Sequence, residues 1–210
     1  MRLTSGKLIT FEGIDGCGKS TQAKRAYNYL NGKQIKCELY REPGGTDVGE
    51  AIRKILLASA AEGLAMDGYT EYLLFASSRA ELSRTIVTPL LENGCTVLLD
   101  RFGDSSTAYQ GYGHGVDVDF IIETNRIASG GLKPDLTILL DIDPETALAR
   151  LGSQNDRIEK RGIVFFKRVR SGFLTLADRE PERFRVIDAE RSVEDISRDV
   201  IELIENIPIK

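Results

Sequence analysis

A chain of 210 residues with 41% hydrophobic and 29% charged side chains can bury one substantial core, so a single domain over residues 1–210 is expected. Its net charge of −4 argues against a duplex nucleic-acid binder, which needs a basic face against phosphates, and no apolar run approaches the ~18 residues of a membrane span. Cys17, Cys37 and Cys95 lack metal-ligand spacing and read as reduced thiols; with no signal-peptide core at the start, the expected location is the cytoplasm.

In chain order, the apolar run Lys7 to Phe11 predicts a buried parallel strand. Ser20 to Leu30 predicts a helix stopped by Asn31-Gly32. Ile35 to Tyr40 reads as the second strand, and Arg41-Glu42-Pro43-Gly44-Gly45-Thr46 as a loop. Asp47 to Ala58 carries Val48, Ile52, Ile55 and Leu56 at helical spacing. A small-residue connector, Ser59 to Gly68, leads into a long helical pattern over Tyr69 to Thr88, expected to end or kink near Pro89.

Thr96 to Asp100 predicts the third strand, ending in a carboxylate. Gly103 to Val118 is rich in glycine and reads as a loop with a helical turn. A helix over Asp119 to Ser129, closed by Gly130-Gly131, precedes the fourth strand, Leu136 to Leu140. Asp143-Pro144 is a helix N-cap followed by proline at the first position, with that helix running to about Leu151. After the polar stretch 152–156 comes a long helix from Ile158 to Asp178, with Phe165, Phe166, Val169, Phe173 and Leu176 on its buried side. Val186-Ile187 marks the fifth strand, and Ser192 to Ile204 a last helix whose Ser192 and Asp195 have near capping-box spacing. Strands alternating with helices predict an α/β fold: a five-stranded parallel sheet with helices on both faces.

Between the first strand and first helix lies Gly13-Ile14-Asp15-Gly16-Cys17-Gly18-Lys19-Ser20, the G-x-x-x-x-G-K-S pattern of a phosphate-binding loop. Glycines let the backbone wrap a phosphate, and the helix N-terminus directs N–H groups at it. Lys19 is expected to reach the β- and γ-phosphates, and the Ser20 hydroxyl to hold Mg²⁺. Asp100, at the carboxyl end of a buried strand, can share that metal. Arg101 follows in the same crevice and offers a bidentate fork for a phosphate. Phe75 and Arg79, spaced i, i+4, share one helix face; they suit a nucleobase and a polar edge or phosphate, though spacing alone favours a core Phe and a surface Arg. Asp100-Arg101-Phe102-Gly103 also fits the D-x-x-G of GTPase switches, but the chain holds no Asn-Lys-x-Asp guanine reader.

Together these segments resemble the thymidylate kinases, nucleoside-monophosphate kinases of the P-loop class. The resemblance runs nearly end to end. It rests on Phe11 to Thr21, Arg41 to Thr46, Asp100-Arg101-Phe102 with Ser105 to Gly111, Asp156-Arg157-Ile158-Glu159, and Val186 to Ala189. It implies phosphorylation of dTMP by ATP with Mg²⁺, no nucleic-acid or membrane partner, and a homodimer using long apolar-faced helices such as Tyr69 to Thr88.

The resemblance further implies that Gly13 to Thr21, Arg150, Ala189 and Arg191 hold ATP, with Ala189-Glu190-Arg191 bordering adenine. Phe75 would stack on thymine while Arg79 contacts the base or phosphate, and Arg101 would bind the acceptor phosphate. Asp15 would lie near the sugar 3′-hydroxyl or the metal, and Tyr109 under the deoxyribose. Glu42, Pro43, Ser105, Ser106 and Gln110 would line the acceptor pocket. Some relatives carry arginine where this chain has Gly16; here the transition-state cation must come from elsewhere, and a mobile lid over about 150–161 would supply Arg157, with Arg150, Lys160 and Arg161 nearby. His114 stands where relatives often carry arginine. Another P-loop nucleotide or deoxynucleoside kinase, and a nucleotide-dependent switch or assembly protein, are the competing readings.

Overall fold

The computed structural model describes residues 6–61, 66–151 and 162–207. Strands β1 (Leu8–Glu12), β2 (Cys37–Arg41), β3 (Thr96–Asp100), β4 (Leu136–Asp141) and β5 (Phe184–Asp188) form one sheet in the order β2-β3-β1-β4-β5. Every neighbouring pair is parallel. β1 is buried throughout, and β3 and β4 up to their final aspartates, which is why they read as continuous apolar runs. Arg41 and Phe11 both register with Asp100, and Asp141 with Asp188. The carboxyl ends therefore reach one edge together, where open α/β sheets bind ligands.

Helix α1 (Lys19–Gly32) follows β1, α2 (Asp47–Ala61) follows β2, and α3 (Gly68–Leu82) is capped by the Asp67 carboxylate, which accepts from the Tyr69 and Thr70 amides. The expected break at Pro89 is absent. A π-helical turn, Ser83–Val87, joins α3 to α4 (Thr88–Glu92), and Pro89 falls in the first turn of α4, where its missing N–H costs little. The Gly103–Val118 segment, expected as a loop with a helical turn, is largely helical: α5 (Gly103–Ser106) runs into a π-helical stretch, Thr107–Gly113. Gly113 serves close packing, since a Cβ there would lie 2.6 Å from the Phe165 ring.

Beyond it come α6 (Val118–Ala128), α7 (Pro144–Leu151), α8 (Ile163–Arg179) and α9 (Val193–Glu205). Asp143 caps α7 through the Glu145 amide (2.8 Å), and Ser192 caps α9 through the Asp195 amide (3.1 Å). The expected aromatic side of α8 is buried: Phe165, Phe166, Val169, Phe173 and Leu176 join Ile196, Val200 and Ile204 of α9 in the main core. The apolar side of α2 is only partly buried, however; Leu56 is covered while Val48 and Ile55 stay about half exposed. Arg157, Lys160, Arg161 and all of the expected lid except Arg150 and Leu151 lie outside the described residues.

Candidate active site

Left-handed glycines shape the phosphate loop. Gly16 has φ +83°, and a Cβ there would lie 2.3 Å from the Ala147 carbonyl oxygen; Gly18 has φ +96° and starts α1. The Ile14 side chain is buried in the core, and its carbonyl accepts from Lys19 Nζ at 2.8 Å. Cys17 is buried, with its Sγ 3.6 Å from the same ammonium. Two clefts meet here. One, bordered by Asp15, Gly16, Gly18, Lys19, Ser20 and Thr21, continues to Arg41, Arg53, Asp100, Arg101 and Arg150. The other opens toward Arg150, Arg191 and the start of α9. Ala189 is buried behind it, and its carbonyl accepts from Arg150 at 3.0 Å.

Ser20 and Asp100 stand together: the hydroxyl donates to Asp100 Oδ2 at 2.5 Å. A hydroxyl and a carboxylate oxygen side by side next to a phosphate loop are the hard donors Mg²⁺ takes, alongside phosphate and water. Asp15, the third expected metal contact, is committed elsewhere. Its Oδ1 receives the Arg101 guanidinium, and its Oδ2 the Tyr109 hydroxyl at 2.7 Å. Burial pushes the Asp15 carboxyl up, but Arg101, Lys19 and the Tyr109 hydroxyl outweigh it and hold it below its ordinary value.

Arg101 adopts φ +72°, a left-handed conformation that costs a non-glycine residue on the order of 1–3 kcal/mol. Both flanks pin it: its own amide donates to the Phe11 carbonyl (3.0 Å), and the next amide, of Phe102, donates to Glu12 Oε1 (2.8 Å). The strain turns the guanidinium back over the loop, where it reaches the Gly13 carbonyl (3.1 Å) and Ser105 Oγ (2.9 Å) and lies 5.0 Å from the Tyr109 ring centre.

The acceptor-side cleft has a cavity volume of about 130 Å³ and gathers residues from five separate segments. Asp15, Glu42, Pro43, Phe75, Arg79, Arg101, Ser105, Ser106, Tyr109 and Gln110, all expected from the sequence, line it. Arg79 is neither a surface residue nor a loose arm. Its side chain is buried and donates to Glu42 (2.9 Å), Asn125 (2.6 Å), the Phe102 carbonyl (3.3 Å) and Ser106 (2.9 Å). It braces the wall that carries Phe75, one turn away.

Sequence reasoning missed Arg53, Leu56, Leu57 and Phe102 in this lining. Arg53 borders this acceptor-side cleft and the phosphate cleft, and donates to the Pro43 carbonyl at 3.1 Å. Its signal was present, a cation on the first turns of the helix after the Pro-Gly-Gly loop, but nothing local distinguishes it from Arg41 or Lys54.

Glu12 was also missed. It is fully buried at the end of β1 and accepts from Phe102 N and from Ser105 Oγ (2.5 Å). Burial, then the nearby Asp104 charge, push its carboxyl up to about 8. Burial likewise lifts Glu42 to about 7 against the pull of Arg79. A carboxyl raised in the folded state favours folding below its unfolded value and loses that contribution as pH climbs through the folded value. Together they predict a melting temperature that falls between about pH 4.5 and 8, and Glu12→Gln should flatten that fall. Identical slopes for the two proteins in buffered thermal melts would overturn the assignment.

Among the described residues no group of three or more His, Cys, Asp or Glu side chains forms a metal cluster, and no helix is long and apolar enough to cross a membrane. A sequence profile of the thymidylate kinase family matches residues 11–200. The chain is 47% identical to the thymidylate kinase of Symbiobacterium thermophilum, covering 95% of this chain and 92% of that one. It is 44% identical to that of Chlorobaculum parvum, covering 96% and 97%, and 46% identical to that of Pelotomaculum thermopropionicum, covering 96% and 94%.

Proposed function

The chain belongs to the thymidylate kinase family, and on that premise we propose that it transfers the γ-phosphoryl group of ATP to dTMP, in the cytoplasm, at the junction of the two clefts. The single observation that carries this reading is Arg101. It sits between the phosphate loop and a pocket walled by Phe75, and its guanidinium suits an acceptor that already bears a phosphate. A nucleoside acceptor brings no phosphate for that guanidinium to hold, and the chain's lack of a guanine reader weighs against a nucleotide switch. A coupled assay offering dTMP, dUMP, dCMP and thymidine to the purified enzyme tests it. Turnover fastest with dTMP supports the reading; a preference for thymidine would replace it with a nucleoside kinase.

Phosphoryl transfer asks mainly for alignment and charge neutralisation. In this reading the loop amides and Lys19 hold the donor phosphates, and Arg101 with Arg53 holds the acceptor phosphate. Asp15 keeps Arg101 and Tyr109 in place. Ser20 and Asp100 would hold Mg²⁺, which supplies charge stabilisation on the transferred group when bound. Arg150 and Arg191 border the donor-base cleft.

Tyr109 is the proposed sugar selector. Its ring is buried against Phe165 and Phe173 at 6.1 and 6.2 Å between centres. Tyr109→Phe keeps the ring and should keep deoxyribose preference, while losing the hydroxyl bond to Asp15 should lower kcat. Tyr109→Ala should relax the preference, at a stability cost of about 3–5 kcal/mol for a buried aromatic. Unchanged rejection of the ribonucleotide by a folded Tyr109→Ala would move sugar selection elsewhere.

A homodimer is proposed on a different observation. α2, α3 and α6 leave Ile55, Tyr69, Leu73, Phe120 and Ile127 exposed, although α3 packs beside both other helices. A second copy of the chain would cover this surface. Light scattering should return twice the chain mass, and Leu73→Glu should shift it to monomer. A wild-type monomer at micromolar concentration would refute the dimer.

A further inference from the structure

Glu71 is a fully buried carboxylate that the proposed mechanism does not use. It lies on α3 one turn before Phe75 and two turns before Arg79, so all three share one helix face. Phe75 and Arg79 line the acceptor cleft, and so does Gln110, from the π-helical stretch opposite. Glu71 does not line it. It stands behind Gln110 and accepts from Gln110 Nε2 at 2.8 Å, with His114 Nε2 3.5 Å from the same oxygen.

This contact constrains chemistry as well as position. The end of the Gln110 amide that faces Glu71 is the –NH₂, which donates to the carboxyl oxygen. The carbonyl is then the end left for the cleft. Gln110 is itself almost wholly buried, so reversal of the amide would set a carbonyl against a carboxylate without water to separate them.

We propose that Glu71 is a positioning residue for base selection: by fixing the Gln110 amide it makes the acceptor pocket demand a pyrimidine with a hydrogen-bond donor at N3. Thymine and uracil carry N3–H. Cytosine carries an unprotonated N3, an acceptor, which would meet the Gln110 carbonyl lone pair to lone pair. A site built to hydrogen-bond a donor rejects an analogue lacking it far more strongly than an apolar pocket rejects a methyl difference. Glu71 thus separates thymidylate and deoxyuridylate from deoxycytidylate, and takes no part in telling dTMP from dUMP, whose N3 groups are alike.

This inference rests on the nucleotide-kinase reading above, and the test keeps the two apart. Steady-state kcat/KM would be measured for dTMP, dUMP and dCMP with the wild type, Glu71→Gln and Gln110→Met. In Glu71→Gln the partner can donate as well as accept, so it no longer dictates the amide. The dTMP-to-dCMP ratio should fall about tenfold or more, mostly through KM, while the dTMP-to-dUMP ratio holds. Gln110→Met removes the amide and should lose the dTMP-to-dCMP preference to at least the same extent. A wild type without dTMP turnover would sink the kinase reading itself. An active wild type whose preference against dCMP survives in folded Glu71→Gln, or in Gln110→Met should Glu71→Gln fail to fold, would overturn only the role of Glu71.

Discussion

Lys19→Ala should lower kcat by about 10²–10³-fold, the range for losing one preorganised charge-stabilising donor. The position explains the size. Lys19 is the first residue of α1, its stem is buried, and the Ile14 carbonyl holds its ammonium inside the loop at 2.8 Å. The cation is therefore in place before substrate arrives and costs no reorganisation during transfer. Negative charge on the γ-phosphoryl oxygens and leaving oxygen shifts as the bond breaks, so the ammonium is worth more in the transition state than in the ground state. The loss should fall chiefly on kcat rather than on the KM for ATP. Folding should survive, because the variant gives up only the bond to the Ile14 carbonyl, worth about 1.5–3 kcal/mol for a charged donor, and the weak one to Cys17 Sγ. Thermal melts beside initial-rate kinetics check both halves, and near-normal turnover would discard the phosphate-loop assignment.

Arg157→Ala should also lower kcat, by roughly 10²-fold or more, since supplied arginines contribute about 10³–10⁵ in rate where measured. The reasoning starts from Gly16. An arginine in the loop is not available to this chain: φ is +83°, and any Cβ would collide with the Ala147 backbone oxygen. The guanidinium groups among the described residues bordering the phosphate cleft have other engagements. Arg101 is paired with Asp15, Arg53 donates to the Pro43 carbonyl, Arg41 faces Glu50, and Arg150 is drawn to the Ala189 carbonyl. Arg157 follows α7 by a few residues in sequence, and α7 already brings Arg150 and Leu151 to the cleft. If it supplies the missing charge, Arg157→Lys should recover part of the rate and the dTMP KM should barely change. Gly16→Arg is no rescue here, for the steric reason just given. An unchanged kcat in Arg157→Ala, or a pure KM effect, would assign the cation elsewhere.

The local patterns were legible before folding was considered. G-x-x-x-x-G-K-S specifies a strand, a turn and a helix within a short span, because positive-φ glycines and a helix N-terminus are local requirements. The apolar runs of β1, β3 and β4 and the aromatic side of α8 declared themselves by periodicity, which reflects burial by the nearest layer. Local signals failed where a segment is held by partners far along the chain. The Gly103–Val118 stretch looked like a loop because glycine disfavours helix, yet packing against α8 decides its form, and Gly113 is small because Phe165 fills the space beside it. Pro89 looked like a break because sequence alone does not announce a π-helical turn.

The acceptor pocket divides the same way. Asp15, Arg101 and Tyr109 were legible as separate candidates through family resemblance, but their closure into one hydrogen-bonded group spans 94 positions between Asp15 and Tyr109. Arg79 was read as base contact or surface residue; only the tertiary structure surrounds it with Glu42, Phe102, Ser106 and Asn125, four partners from three other segments. Glu12 and Glu71 had no local mark at all, and Arg53 none that set it apart from Arg41 or Lys54. The sequence by itself determined the phosphate loop, the alternation of strands and helices that implies a parallel sheet, and the family, because these are written in contiguous segments of the chain. Only the tertiary structure decided which charges are buried, which carboxyls are lifted and which side chains hold the pocket's polar groups in place, because desolvation and hydrogen-bond geometry are set by residues that meet only after the sheet has brought its five strand ends to one edge.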